Sequence, residues 1–286
     1  MMFTIRTFPY SAIRTAHSVT MGKWRIKIIT IVYPIFTIKS PKTIPFTRSR
    51  VFHLFRLIAS PFIQRLKDTT FQTIFLIMLI SPTDQQKDFI RRNLALLEDY
   101  DRQRPEGHPY AFHLHSGRVA QDVKTLSKAA GYNDIECDAL YWATLPHDIG
   151  KTALPIEIWD LKDKPTEDQR ATRRTHTWRG VDIVRTEFGE ECNTDPFLTL
   201  LIDIMENHHE TLNGVGFLGK TEGELSKNVR IACICDAFDG WSVYRPHFKD
   251  RDLSAASVIK RMEFEKTGQF DADLLTLFKE LKTKEA

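Results

Sequence analysis

Cysteine is scarce in this chain of 286 residues, and its spacing carries no motif. Cys137, Cys192, Cys233 and Cys235 form no CxxC pair. That excludes a disulfide scaffold and a cysteine-rich structural zinc site, and it points to a reducing, cytoplasmic compartment. Long apolar runs are missing as well. The longest, Ile74 to Ile80, falls far short of the roughly 20 residues that cross a bilayer, so no transmembrane helix is expected. Acid is absent from the first 67 residues, which hold 12 Lys or Arg and neither Asp nor Glu. The remainder has 28 basic against 37 acidic residues, so the net charge of +3 conceals a strongly basic beginning joined to an acidic body.

Residues 1–80 read as a basic extension, interrupted by Pro9, Pro34, Pro41, Pro45 and Pro61 and without sustained helical or strand period. Three readings stay open for it. "VFHLFRLIASPFIQRLK" mixes apolar and basic residues as a membrane-surface or targeting arm would. A polyanion binder is the second reading, although no DNA- or RNA-binding motif is present and duplex binding is not expected. The third is an unstructured extension outside the native protein, with translation starting further on, for instance at Met78.

From about residue 84 the pattern becomes helical. "SPTDQQKDFIRRNLALLEDYDRQ" opens on capping residues and sets Phe89, Ile90, Leu94 and Leu97 at three-to-four spacing. "HSGRVAQDVKTLSKAAGY" does the same with Val119, Val123 and Leu126 and offers Gly131 as a C-cap. Six further helical stretches follow, among them "IECDALYWATLPHD" and "QRATRRTHTWRGVDIVRTEF". No alternating strands intervene, so 84–286 reads as one all-α domain.

Within it, "LPHDIGKTALP" sets His147, Asp148 and Lys151 among apolar residues. Buried charge is normally paired, hydrogen-bonded or bound to metal. His115, His176, His208, His209 and Asp236 offer the same donor chemistry, a nitrogen and oxygen set suited to manganese, iron, zinc or nickel. A single histidine on a helix is more often a hydrogen-bonded core or surface residue than a ligand. His17, His53, His108, His113 and His247 read in that way.

The order "HSGRVA", "LPHDIGKTALP", "RTHTWRG", "NHHETLNGVGF", "CDAFDGWSVYRPH" resembles the motif order of the HD-GYP branch of HD-domain phosphohydrolases, over about 200 residues to the C-terminus. The resemblance implies an all-helical domain that hydrolyses cyclic di-GMP at a two- or three-metal site. At the matching positions it implies His115, His147, Asp148, His176, His208, His209 and Asp236 as ligands, with Asp148 bridging two ions. A metal-bridging hydroxide would attack phosphorus in line, and Lys151 would neutralise charge on the phosphate oxygens. Phe217 and Arg245 would join Lys151 in binding substrate.

Several positions depart from the pattern. Gly216-Phe217-Leu218 replaces Gly-Tyr-Pro, keeping a ring that can stack on guanine but losing a hydroxyl and a stiffening proline. Asn213 stands in place of an Asp, and Phe248 in place of a second basic residue after Arg245. Three-metal members carry a Glu where this chain has Ala111, so two divalent ions are expected, iron or manganese first among them. The alternatives are a phosphohydrolase for another nucleotide, a catalytically silent module that binds a nucleotide or a protein partner through the Gly216-Phe217-Leu218 loop, and a purely structural metal site. The last needs only four closed ligands.

Overall fold

The computed structural model describes residues 14–21, 24–31, 80–104, 110–161, 163–244 and 250–285. The chain divides into two units, residues 1–46 and 47–286. In the first, β1 (Arg14–Met21) pairs antiparallel with β2 (Trp24–Ile31), in a register that sets Arg14 opposite Ile31 and Met21 opposite Trp24. The expectation of an extension without strand period is therefore corrected for these residues. "WRIKI" alternates apolar and basic residues, and only two residues separate the strands, which is hairpin spacing.

The described part of the second unit is helical: α1 (Asp84–Asp101), α2 (Phe112–Ala129), α3 (Asp134–Thr144), α4 (Glu167–Arg174), α5 (His176–Phe188), α6 (Pro196–Asn207), α7 (Lys227–Ser242), α8 (Ala255–Phe264) and α9 (Ala272–Glu285). Thr83, Asn133 and Thr166 cap α1, α3 and α4, each in a reciprocal box with Gln86, Glu136 or Gln169. Each such cap stabilises its helix by about 1 kcal/mol. Ala111 at the N-cap of α2 has no side chain for the task. Asp101, at the end of α1, supplies it instead by accepting from the backbone N–H groups of Phe112 and His113. His113 also bonds Asp101, through Nδ1 at 2.7 Å, in the bystander role its sequence position suggested.

Helix α2 lies centrally, against α1, α3, α7 and α9, while α6 packs on α3, α5 and α7. Phe89, Ile90, Leu97, Val119, Val123 and Leu126 are buried as their spacing predicted, and Leu94 is packed at the margin. Gly131 ends α2 with a φ of 92°. Among the described residues no helix is long and apolar enough to cross a membrane.

Two helices end earlier than the sequence predicts. α3 stops at Thr144 because Pro146 has no N–H to continue the ladder, and a turn followed by a 3-10 segment, Ile149–Ala153, carries the HDIGK residues. The "QRATRRTHTWRG" helix breaks at Thr175 into α4 and α5. The Thr175 N–H bonds Thr172 rather than the carbonyl one residue further back, which interrupts the α-helical ladder just before His176.

Candidate metal centre

Two helices, two helix ends and one turn deliver the seven residues to a common point. His115 lies in the second turn of α2, His147 and Asp148 in the turn after α3, and His176 opens α5. His208 and His209 follow the last residue of α6, and Asp236 sits within α7. A close backbone approach fixes the HDIGK turn against α5. A Cβ on Gly150 would lie 2.0 Å from the His176 carbonyl oxygen and 2.4 Å from the Gly180 nitrogen. Only glycine permits that contact.

Backbone carbonyls then determine which ring nitrogens face inward. The Nδ1 atoms of His147, His176 and His208 stand 3.0, 2.6 and 2.9 Å from the carbonyl oxygens of Thr144, Arg173 and Met205. A carbonyl can only accept, so each Nδ1 carries a proton and donates it. The Nε2 atoms are left pointing at one another. His176 Nε2 faces His208 Nε2 at 3.4 Å, and the two lie 3.2 and 3.8 Å from Asp148 Oδ1.

Burial pushes the pKa of His208 well below the usual imidazole value, with His209 and His147 adding to it. Burial likewise lowers that of His176, against the opposing pull of Asp148. Both rings are therefore neutral, with their one proton already committed. Asp148 Oδ1 is buried and has no hydrogen-bond partner. Three lone-pair atoms thus converge with no proton among them, an arrangement that a cation satisfies and that is otherwise costly.

The second oxygen of the same carboxylate faces another pair. Asp148 Oδ2 lies 3.6 Å from both His115 Nε2 and His147 Nε2, which are 3.3 Å apart, and Asp236 Oδ1 is 3.0 Å from His115 Nε2. Burial disfavours charge on His115, but Asp236 and Asp239 on its two nitrogens raise its pKa above the ordinary value. An ion would take the place of the Nε2 proton. Burial also pushes the Asp148 carboxyl up, yet Lys151, His147 and His176 together hold it well below the usual range. Asp236 behaves alike, with His209 as the largest opposing influence; His209 Nδ1 is 3.2 Å from its Oδ2.

Two donor groups result, His115, His147 and Asp148 on one side and Asp148, His176, His208 and His209 on the other, with Asp148 in both. This cluster is able to hold metal, and its donors fit divalent cations.

Residues 113–241, a span containing all seven, match the family model of the HD domain. Over that span the helical unit is similar to the HD domain. Over 137 residues the chain is 31% identical to a cyclic di-GMP phosphodiesterase of Pseudomonas aeruginosa, covering 48% of this chain and 31% of that one. It is 29% identical over 161 residues to 3'3'-cGAMP-specific phosphodiesterase 1 of Vibrio cholerae, covering 56% and 35%. The chain thus spans about a third of the length of these curated relatives. Among solved structures, an HDG"Y"P protein from Bdellovibrio bacteriovorus matches 60% of this chain and 52% of its own, with a TM-score of 0.50 and 19% identity, a likeness of fold.

Around the cluster the side chains divide into those the sequence singled out and those it did not. Lys151 is buried, bonds Asp148 Oδ2, and rests its ammonium 4.2 Å from the ring centroid of Phe112 and 5.4 Å from that of Trp159. Phe217 packs on the His209 ring at 4.5 Å. Arg245 lies outside the described residues.

Two residues went unread. Asp239, one turn after Asp236, accepts from His115 Nδ1 at 2.6 Å and from two nitrogens of Arg118, and so orients His115. The spacing Asp236-x-x-Asp239 on one helix face was the available signal. Glu210, the third residue of HHE, is buried and accepts from the backbone N–H groups of Leu218 and Lys220 at 2.6 and 2.8 Å. It fastens the Gly216-Phe217-Leu218 loop, where a Cβ on Gly216 would come within 2.5 Å of Glu210 Cα. Nothing local in the sequence signals that contact.

Proposed function

We propose that this chain is a metal-dependent phosphodiesterase for a cyclic dinucleotide, with cyclic di-GMP as the substrate and two divalent ions, iron or manganese, sharing Asp148. The observation that carries this reading is the proton-free meeting of His176 Nε2, His208 Nε2 and Asp148 Oδ1, with His115 and His147 facing the other oxygen of the same carboxylate. The ligand set is His115, His147, Asp148, His176, His208, His209 and Asp236. When bound, such ions supply a nucleophilic hydroxide near neutral pH and screen the negative phosphate.

The chain's own residues do the rest. The backbone carbonyls of Thr144, Arg173 and Met205 hold three rings in the binding tautomer, and Asp239 holds the fourth. Lys151, fixed on its aromatic bed, keeps a positive charge where phosphate oxygens gain negative charge. The cleft beside the cluster, about 490 Å3, is lined by Phe112, Trp159, Phe217, Trp241 and Phe270, so it offers aromatic faces for bases. Relatives named for cyclic di-GMP and for 3'3'-cGAMP support a cyclic dinucleotide that contains guanine.

The test is a substrate panel on the full chain, purified anaerobically with iron or manganese, with metal analysis of the same sample. Roughly two ions per chain and conversion of cyclic di-GMP to linear product are expected, both lost in Asp148→Ala. Turnover of a nucleotide monophosphate with cyclic di-GMP left intact would refute the substrate. Fewer than about one ion per chain would favour the silent module.

A further inference from the structure

The cleft beside the HD-domain cluster is lined by five described cations, Arg104, Lys151, Arg170, Arg173 and Arg174. Four are committed to protein atoms. Arg104 bonds Asp101 and Asp160, Lys151 bonds Asp148, Arg170 bonds Glu167 and the Pro165 carbonyl, and Arg173 bonds the Ile158 carbonyl. Arg174 differs. Its side chain makes no hydrogen bond or ion pair among the described residues, and its guanidinium lies 5.3 Å from the ring centroid of Phe217. Phe217 in turn rests on His209, and Glu210 fixes the backbone of its loop. Arg174 is thus held beside the metal cluster with its five N–H donors uncommitted.

We infer that Arg174 is a substrate-binding residue that takes the phosphate of the cyclic dinucleotide that is not being hydrolysed. The inference rests on the proposed function and extends it. A cyclic dinucleotide carries two phosphodiesters, and the cluster engages one. The other keeps a full negative charge inside an acidic domain and needs a cation within reach. A guanidinium matches a phosphate with paired N–H donors, and stacking on Phe217 limits the freedom it loses on binding. Phe217 has no hydroxyl, and Arg174 supplies the polar contact on that side of the cleft. It lies two residues before His176, at the last position of α4, within reach of the Phe217 ring.

The experiment uses the full chain loaded with manganese, as wild type, Arg174→Lys and Arg174→Ala. Affinity for a non-hydrolysable bis-phosphorothioate analogue of cyclic di-GMP is measured by calorimetry. KM and kcat are measured on cyclic di-GMP and on bis(4-nitrophenyl) phosphate, which has a single phosphate. Arg174→Ala should weaken the analogue and raise KM for cyclic di-GMP by about tenfold, the worth of one exposed charge-assisted contact, with most of the loss in KM rather than kcat. Arg174→Lys should recover part of it, because a point charge still attracts phosphate. The loss on cyclic di-GMP should exceed that on the single-phosphate ester by a similar factor. Unchanged analogue affinity in Arg174→Ala, or equal losses on both esters, overturns the assignment. Failure of the two readings is separable: a wild type that binds the analogue through Arg174 but hydrolyses no cyclic di-GMP refutes the reaction and supports the contact, and hydrolysis indifferent to Arg174→Ala does the reverse.

Discussion

Replacing Asp239 by Asn tests whether the cluster depends on the orientation of His115. Asp239 is 6% exposed, and its two oxygens serve three donors: Oδ1 accepts from Arg118 Nε at 2.6 Å, and Oδ2 accepts from Arg118 Nη2 at 2.9 Å and from His115 Nδ1 at 2.6 Å. An amide of the same shape has one oxygen and one NH2, so some donor must then face a donor. If the oxygen stays on Arg118, the NH2 faces His115 Nδ1. The ring then moves its proton to Nε2, where it points at Asp236 Oδ1 and occupies the lone pair a metal needs. If the oxygen stays on His115, Arg118 swings into solvent, which costs little because its side chain is 45% exposed, and only the negative charge behind the imidazole is lost.

The two outcomes bracket the effect. Carboxylates that orient metal-binding histidines contribute about 10–100-fold in affinity, or roughly 1.4–2.7 kcal/mol. Asp239→Asn should therefore weaken manganese binding by about tenfold at least, and Arg118→Ala by less, because it leaves the His115 bond in place. Competition with a chelating indicator measures the affinity, and circular dichroism of the metal-free protein checks that the fold is kept. Affinity within about twofold of wild type, with the fold intact, would show that His115 does not rely on Asp239.

Three further perturbations have defined outcomes. Gly150→Ala drives a Cβ into the His176 carbonyl and the Gly180 nitrogen, neither of which can swing aside, so the metal-free protein should lose about 1–3 kcal/mol and several degrees of thermal stability; an unchanged melting temperature contradicts the close approach. Glu210→Gln leaves one of two part-buried N–H groups, of Leu218 or Lys220, facing a donor at a cost of about 1 kcal/mol, and hydrogen exchange at those amides should quicken accordingly. Burial raises the phenol of Tyr100 to about 12, against the opposing hydrogen bond from Trp159. The folded state then keeps a proton that the unfolded state gives up near 10, so the stability Tyr100 contributes is complete below pH 10 and is lost as pH rises through about 12. Tyr100→Phe should flatten that alkaline decline in denaturant titrations, and an identical decline in the variant would rule the group out.

What the sequence revealed and what it hid divide along physical lines. Helices α1 and α2 were legible because Phe89, Ile90, Leu97, Val119, Val123 and Leu126 repeat at the period of one buried face. The seven cluster residues were legible through the order of their motifs, since each alone is an ordinary histidine or aspartate. The turn that carries His147 and Asp148 was read as helix because apolar residues continue through it, and only Pro146 marks the stop. Asp239, Glu210, Gly150 and Arg174 stayed hidden for one reason. Their roles lie in approaches that no local pattern marks: Asp239 to His115, Gly150 to Gly180 and Arg174 to Phe217 across distant segments, and Glu210 to the loop eight to ten residues on.

That division bears on how the Gly216-Phe217-Leu218 loop can change without disturbing the cluster. In this chain the loop's backbone is held by the Glu210 carboxylate and by the close approach of Gly216 to Glu210 Cα, contacts that involve neither the Phe217 ring nor the exposed Leu218 side chain. A hydroxyl at 217 and a proline at 218 are therefore free to be absent while the loop keeps its path. The inward contact of residue 217 is made by its ring against His209, and phenylalanine and tyrosine share that ring. Arg174, with uncommitted donors, stands 5.3 Å from the centroid of the same ring. The rewritten signature thus leaves intact the tautomers and carboxylates that hold the cluster, because those are set by the carbonyls of Thr144, Arg173 and Met205 and by Asp239, all outside the loop.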